Sequence, residues 1–400
     1  TGSVAAAIAT MDWMQATGQA GEIRLYGTPA EEGGAGKVYM VREGLFDDVD
    51  VVLHWHPSDS NTADVTSSLA NKSAKFRFRG LSAHAAAAPY RGRSALDGVE
   101  AMNHMVNLMR EHVPQETRIH YVITSGGSAP NVVPDFAEVY YYVRHPDPAQ
   151  VSAIFDRVVQ AAQGAALGTE TQVDFEVIHG LYNILPNISL QEAIHANLRQ
   201  VGGVQYNAEE AQFATTLQGA LPEDSPPIEE AAVVQPILID EQGRGGSTDV
   251  AEVSHIAPTV GLSVTTAAAD IPWHSWATSA SHGTEGSVRG AMVAAKVLAL
   301  TGVDVLTDAT LVERAREFFT EAKDGKPYVD IAEALDDSQL DPGELARVEL
   351  VFANALGSSF GCKLSTRGVF PAALDPAVTT PPVMTIQSVP IVAKTLGSTP

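Results

Sequence analysis

Among the 400 residues there is a single cysteine, Cys362. That excludes an internal disulfide framework and fits a reducing compartment. A cytoplasmic protein is the expectation. Basic residues are also scarce: Lys and Arg number 25 against 48 Asp and Glu, a formal net charge of −23. Nucleic acid and anionic membrane surfaces both demand a basic patch, so neither is expected as a main partner. The chain reads as holding no run long and apolar enough to span a membrane. Its first residues, TGSVAAAIATMDWM, lack an initiator methionine, a basic stretch and a cleavage-site pattern. They read as the inside of an alanine-rich helix that begins upstream, and the expectation is a fragment of a longer chain.

The hydrophobic share of 45% and the charged share of 18% belong to a folded protein. The length allows two or more domains. Residues 4–15 read as helix. EIRLYGT (22–28) alternates and ends at Pro29, as a strand does, and VDVVLHWH (49–56) is an apolar run of strand length. Helix, strand, helix, strand in succession predicts a parallel-type α/β sheet with buried strands.

Near residue 70 the pattern changes. KFRFRG (75–80), RIHYVIT (118–124), AEVYYYVR (137–144) and QVDFEVIHG (172–180) alternate as strands. Between them lie two amphipathic helices. Ser94 and Asp97 suggest a capping box for the first, which carries Leu96, Val99, Met102, Val106 and Met109 on one stripe. The second carries Val151, Ile154, Phe155, Val158, Val159 and Ala162. The order β-α-β-β-α-β predicts a ferredoxin-like module over 71–181, inserted into an α/β domain made of 1–70 and 182–325. Within the latter, 189–200 reads as helix, 204–235 as an acidic surface excursion and PTVGLSV (258–264) as strand. VRGAMVAAKVLALTG (288–302) reads as helix with a glycine C-cap. ALDDSQLDPGELARVEL (334–350) has helical character, and 326–400 as a whole is assigned to neither domain.

Chemistry concentrates in a few stretches. GTPAEEGGAGK (27–37) sets Glu31 beside Glu32 just past a strand end, where open α/β sheets bind ligands. Adjacent carboxylates suit either a solvated turn or a divalent metal, one carboxylate ligating and the other accepting a proton. VVLHWHP places His54 and His56 on one strand face, with His56 at the C-terminal end. IPWHSW offers His274 as a ligand or as a half-buried structural histidine. GGSTD (245–249) is an ordinary loop or a turn whose N–H groups face an anion. In the module, His84 sits among alanines, Asn131 between two prolines, and Arg144 at a strand end where it suits a carboxylate or a surface ion pair. His145 reads as structural.

Together, GTPAEEGGAGKVYMVREGLFDDVDVVLHWHP, GLSAHAAAAPYRGRSALDGVEAMNHM, SGGSAPNVVPDFAEVYYYVR, GSTDV and WHSW occur in an order that resembles the M20 family of metallopeptidases and amidohydrolases, over roughly residues 1–325. The resemblance implies a metal-dependent amidohydrolase acting on an N-acyl or N-aroyl amino acid. It implies Glu31 as the general base and Glu32, His56 and His274 as ligands of a divalent ion, Zn or Mn. It gives His84 a part in holding the tetrahedral intermediate, and makes Asn131, Arg144, Gly246, Ser247 and Thr248 substrate-facing, some of these groups reaching across a dimer. The dimer is a homodimer or pairs with a related subunit. A further histidine-bearing ligand segment, which the family carries before its first helix, is expected upstream of Thr1. The tail after about 335 departs from the family's ending. Two other readings stay open: a catalytically impaired regulatory or binding subunit, and a dipeptidase or amino-acid-conjugate hydrolase.

Overall fold

The computed structural model describes residues 2–221, 225–240 and 245–332, together with the backbone of three short later strands. In chain order the helices are α1 (Gly2–Thr17), α2 (Gly36–Arg42), α3 (Ala95–Met109), α4 (Pro148–Thr169), α5 (Ile188–Val201), α6 (Ala208–Gln218), α7 (Val250–Ser254), α8 (Trp276–His282), α9 (Glu285–Thr307) and α10 (Ala309–Lys323). The strands are β1 (Glu22–Leu25), β2 (Val51–Ser58), β3 (Val65–Thr66), β4 (Ala70–Arg79), β5 (Arg118–Ser125), β6 (Phe136–His145), β7 (Gln172–Leu181), β8 (Ile239–Asp240), β9 (Thr259–Thr265), β10 (Ala346–Glu349), β11 (Ser365–Gly368) and β12 (Ile391–Lys394).

The first sheet has the order β1-β12-β2-β9. β2 and β9 are parallel, and β12 runs antiparallel to both β1 and β2. β1, β2 and β9 therefore point the same way, with one reversed strand between the first two. The fold is mixed α/β rather than purely parallel. Successive residues of β2 face opposite sides. Val51 and Leu53 join Leu190, Leu198, Leu262, Val297 and Leu298 under α1, α5 and α9. Val52 joins Met40, Phe46 and Val253 under α2 and α7. The sheet is thus covered on both faces, which its apolar strands require.

The second sheet, β5-β6-β4-β7, is antiparallel throughout. Its elements follow in the order strand, helix, strand, strand, helix, strand. One face packs Phe76, Phe78, Val139 and Tyr141 against Val99, Met102, Ile154, Phe155 and Val158 of α3 and α4. The other carries Arg77 between Glu138 and Glu176. The chain enters and leaves this sheet through two adjacent segments. Ser67 Oγ donates to the Ile184 carbonyl at 2.6 Å, and Ile184 N donates to Ser68 Oγ at 3.0 Å. Leu69 N donates to the Gly246 carbonyl at 3.0 Å.

Several expectations change. Ser94 caps α3 by accepting from Asp97 N, while the full reciprocal box forms elsewhere, between Asn207 and Glu210 at α6. The acidic stretch 204–235 therefore contains a helix, because that cap starts one. Gly302 does not end its helix: α9 continues to Thr307, and Gly302 is buried against Thr10 of α1. α9 is also, contrary to expectation, long and apolar enough to cross a membrane by length and composition. Here its apolar residues face the core, and half of that window is buried. Within 334–350 the helical expectation gives way to strand at Ala346–Glu349, paired antiparallel with β11; residues 333–345 lie outside the described residues.

Candidate active site

Because β1, β2 and β9 run the same way, the segments after them open on one edge of the sheet. Glu31 and Glu32 follow β1, His56 lies two residues before the end of β2, which runs on through Pro57, and His274 follows β9. This edge is where side chains distant in sequence converge.

The carboxylate turn is tightly built. A Cβ on Gly36 would lie 2.1 Å from the Pro29 carbonyl oxygen, so only glycine lets the chain close there. Ala30 and Ala35 hold positive φ values of 59° and 50°. Asp270 and His274 do the same at 64° and 58°. Four of the six non-glycine residues with positive φ among the described residues thus lie in the two loops that carry the candidate site. Such strain concentrates where surrounding structure enforces a geometry.

Glu31 is half-buried and Glu32 exposed. Burial, and then the nearby Asp249 carboxylate, push the Glu31 carboxyl above its usual range; a hydrogen bond with Thr248 and the Lys37 charge partly oppose this. The two glutamates therefore occupy different environments despite being neighbours, as groups with separate roles do. Beneath them Lys37 Nζ donates to Asp249 Oδ1 at 2.6 Å, and Lys37 N to Asp249 Oδ2 at 3.0 Å. Both side chains are essentially excluded from solvent. The pair pins the start of α2, and with it the turn, to the GSTD loop. Sequence reasoning missed Lys37 and Asp249, although both lie inside quoted motifs. Nothing in the linear pattern couples position 37 to position 249.

His274 Nδ1 stands 3.9 Å from Glu32 Oε2, with both side chains exposed. His56 is exposed; its Nδ1 lies 2.6 Å from the Pro57 carbonyl oxygen, so Nδ1 carries the proton and the Nε2 lone pair is left. Its ring lies 6.2 Å from that of Trp273. His54 instead packs on Gly261, where a Cβ would come within 2.2 Å of the ring. Burial lowers its pKa to about 3, with Lys37 and His56 adding to the effect. Glu32, His56 and His274 therefore share a mouth, yet among the described residues no group of three or more His, Cys, Asp or Glu could hold a metal ion. The three candidates do not fit a metal site as they stand.

In the GSTD loop, Thr248 reaches Glu31. Ser247 Oγ is buried with no hydrogen-bond partner, and Gly246 serves the crossing segment through its carbonyl. In the second sheet the candidate residues divide. His84 and Asn131 come together: Ala85 N donates to the Asn131 carbonyl at 3.0 Å, and His84 pairs with Val132. Both are exposed. His84 Nδ1 accepts from Ala86 N and Ala87 N, so its Nε2 carries the proton. They sit beyond the Arg79–Phe136 end of the sheet, whereas Arg144 pairs with Asn71 at the end nearest the crossing segments. About eight residues of β6 separate the two ends, roughly 26 Å. His84 and Asn131 are therefore not brought to the carboxylate turn of their own chain. Arg144 is half-buried over the Tyr142 ring, and its Nε has no hydrogen-bond partner. Burial lowers its pKa, the direction expected of a guanidinium without an anion beside it. His145 accepts from Asp147 N and is structural.

The class defined here is a mixed α/β protein that carries paired carboxylates and histidines at the open edge of one sheet and an inserted antiparallel α/β module. Residues 69–170 match the family model of the M20 peptidase dimerisation domain. The chain is 38% identical over 352 residues to a p-aminobenzoyl-glutamate hydrolase subunit of Escherichia coli (strain K12), covering 82% of this chain and 73% of that protein. It is 28% identical to the Xaa-Arg dipeptidase of Mus musculus over 74% of this chain and 62% of the relative. Among solved structures, the aminobenzoyl-glutamate utilization protein from Klebsiella pneumoniae matches with a TM-score of 0.46 at 20% identity, over 68% of this chain and 60% of that one. The chain thus spans less than two thirds of the dipeptidase and of the solved protein. It belongs to the M20 family, whose members matched here are hydrolases of amide bonds.

Proposed function

We propose that the chain is a metal-dependent amidohydrolase that cleaves the amide bond of an N-acyl or N-aroyl amino acid, with p-aminobenzoyl-glutamate as the reference substrate. The observation that carries this reading is the carboxylate turn: Glu31, half-buried with its pKa raised, next to an exposed Glu32 that faces His274. Glu31 takes a proton from the attacking water and returns it to the leaving nitrogen, a task that favours a carboxylate with a raised pKa. Arg144, with its unpaired Nε, receives the carboxylate of the amino-acid half. Ser247, whose hydroxyl also lacks a partner, faces substrate with Gly246 and Thr248. M20 members are in general dependent on divalent metals. Glu32, His56 and His274 are the donors on this edge that such an ion, Zn or Mn, would draw on, and as they stand they do not complete a site.

The reading takes 71–181 as a ferredoxin-like lid and dimerisation module, supported by its strand order and by the family match, and 1–70 with 182–325 as the catalytic domain. It includes a dimer, either of two copies or with a related subunit, in line with the E. coli relative being named as one subunit of its hydrolase. His84 and Asn131 then serve the partner's site. The unfinished donor set favours a second reading, a regulatory or binding subunit that is catalytically impaired. Assaying the full-length protein with p-aminobenzoyl-glutamate in Zn²⁺ or Mn²⁺ separates the two. Release of p-aminobenzoate and glutamate supports the enzyme. Failure to bind either ion in a calorimetric titration, with no hydrolysis of acyl amino acids or dipeptides, leaves the regulatory subunit.

A further inference from the structure

The strands by which the chain enters and leaves the inserted module meet at one side chain. His179, near the end of β7, is 4% exposed and is covered by the edge of the Tyr142 ring, centroids 5.2 Å apart. Asn71 Nδ2, at the start of β4, donates to His179 Nε2 at 2.9 Å. An amide N–H requires an acceptor, so Nε2 bears the lone pair and Nδ1 bears the proton. Nδ1 lies 3.0 Å from Ser73 Oγ and 3.4 Å from the carbonyl oxygen of Gly33. Gly33 is not part of the module; it directly follows Glu32 in the carboxylate turn. The imidazole thus joins β4, β7 and the turn, and Asn71 selects the tautomer that can donate to the turn. Lys37 and Asp249 fix the far end of the same turn.

We propose that His179 is a positioning residue: its Nδ1–H holds the Gly33 carbonyl, so that the placement of the module sets where Glu31 and Glu32 point. A side chain that only fills space would not need a fixed tautomer, nor a partner in another part of the fold. The consequence for turnover rests on the hydrolase reading above; the consequence for the turn does not.

Two substitutions distinguish positioning from packing. His179→Leu keeps bulk and loses the donor. His179→Asn keeps a donor near the Nδ1 position and loses bulk. Backbone deuterium exchange over residues 28–36 should rise in His179→Leu and stay near wild type in His179→Asn. With p-aminobenzoyl-glutamate, kcat should fall about tenfold or more in His179→Leu with KM within about twofold, because misplacing a reacting group by even an ångström is costly. His179→Asn should recover most of kcat. Equal behaviour of the two variants, or unchanged exchange in His179→Leu, overturns the proposal. Should the wild type hydrolyse nothing, the hydrolase reading fails while the exchange measurement still decides the role of His179. Should His179→Leu lose its cooperative melt, Asn71→Ser carries the test. It frees the tautomer, and exchange in 28–36 should rise; no rise overturns the proposal.

Discussion

The two ends of the inserted sheet differ in kind. At the end next to the crossing segments, polar groups are buried and tied together: Asn71 to His179, Ser67 and Ser68 to Ile184, and Glu252 to Tyr182. At the far end, His84 and Asn131 are exposed, on two loops linked by backbone hydrogen bonds. One end is made to hold a geometry within the chain. The other presents groups outward, about the length of β6 away from the end that meets the carboxylate turn. The same family motif set therefore contains residues of two sorts, and substitutions should reveal which is which.

The largest effect is expected at the turn itself. Glu31→Gln removes the proton acceptor while keeping size, and should reduce kcat for p-aminobenzoyl-glutamate by roughly 10²–10⁴-fold without loss of folding. Turnover surviving at wild-type level would remove Glu31 from its role. Next comes the ion pair beneath. Lys37→Met leaves the Asp249 carboxylate buried without its counter-charge, and should cost about 3–5 kcal/mol in chemical denaturation. Lys37→Met with Asp249→Leu should recover much of that loss, because the desolvation cost goes with the second charge. A double variant no more stable than the single one would show that the pair supports the turn beyond its charge balance.

Much of this frame was legible in the sequence. The alternation of KFRFRG and AEVYYYVR, and the 3.6-residue stripe of Val99, Met102 and Val106, are local signals that packing then honoured. The carboxylate turn was legible because proline, glycine and strand end occur in one short stretch. Not legible were relations set by the tertiary path. Residues 37 and 249 meet only because α2 and α7 share a sheet face. β12 enters between β1 and β2 from a stretch with no clear periodicity. Gly302 carries the sign of a helix end, yet tolerance of glycine inside a helix depends on what packs there, here Thr10. Which of His84, Asn131 and Arg144 face their own turn and which face outward was not legible, because family order carries no distance.

A slower gradient should appear with pH at the crossing segments. Glu252 is fully buried, accepts from Tyr182 N and from the Tyr328 hydroxyl, and burial raises its pKa from 4.5 to about 8. Between these values the folded chain keeps a proton that the unfolded chain has released. Stability from this group is therefore full below pH 4.5 and declines as pH rises towards about 8. Melting temperature should fall across that window, and Glu252→Gln should flatten the fall. A slope unchanged by Glu252→Gln would place the titrating group elsewhere. For Arg144, Arg144→Ala should raise KM more than it lowers kcat, by about 1.5–3 kcal/mol, the range for a hydrogen bond to a charged group. A substrate analogue lacking the free carboxylate should show no difference between the two proteins.

The smallest effect on folding is expected at the far end, and there it is most informative. His84→Ala removes an exposed side chain and its acceptor for Ala86 N and Ala87 N, and should shift stability by no more than about 1.5 kcal/mol. If His84 acts on a partner's turn, His84→Ala and Glu31→Gln are each poorly active alone but complementary when mixed. In a freely exchanging dimer, half of the assemblies pair one variant with the other. Each of these has one site with both groups intact, so about a quarter of wild-type activity should return. No return, in a dimer shown to exchange subunits, would mean that the far end serves its own chain. The loop would then have to cross the roughly 26 Å that β6 spans, and the division between the two ends would not survive.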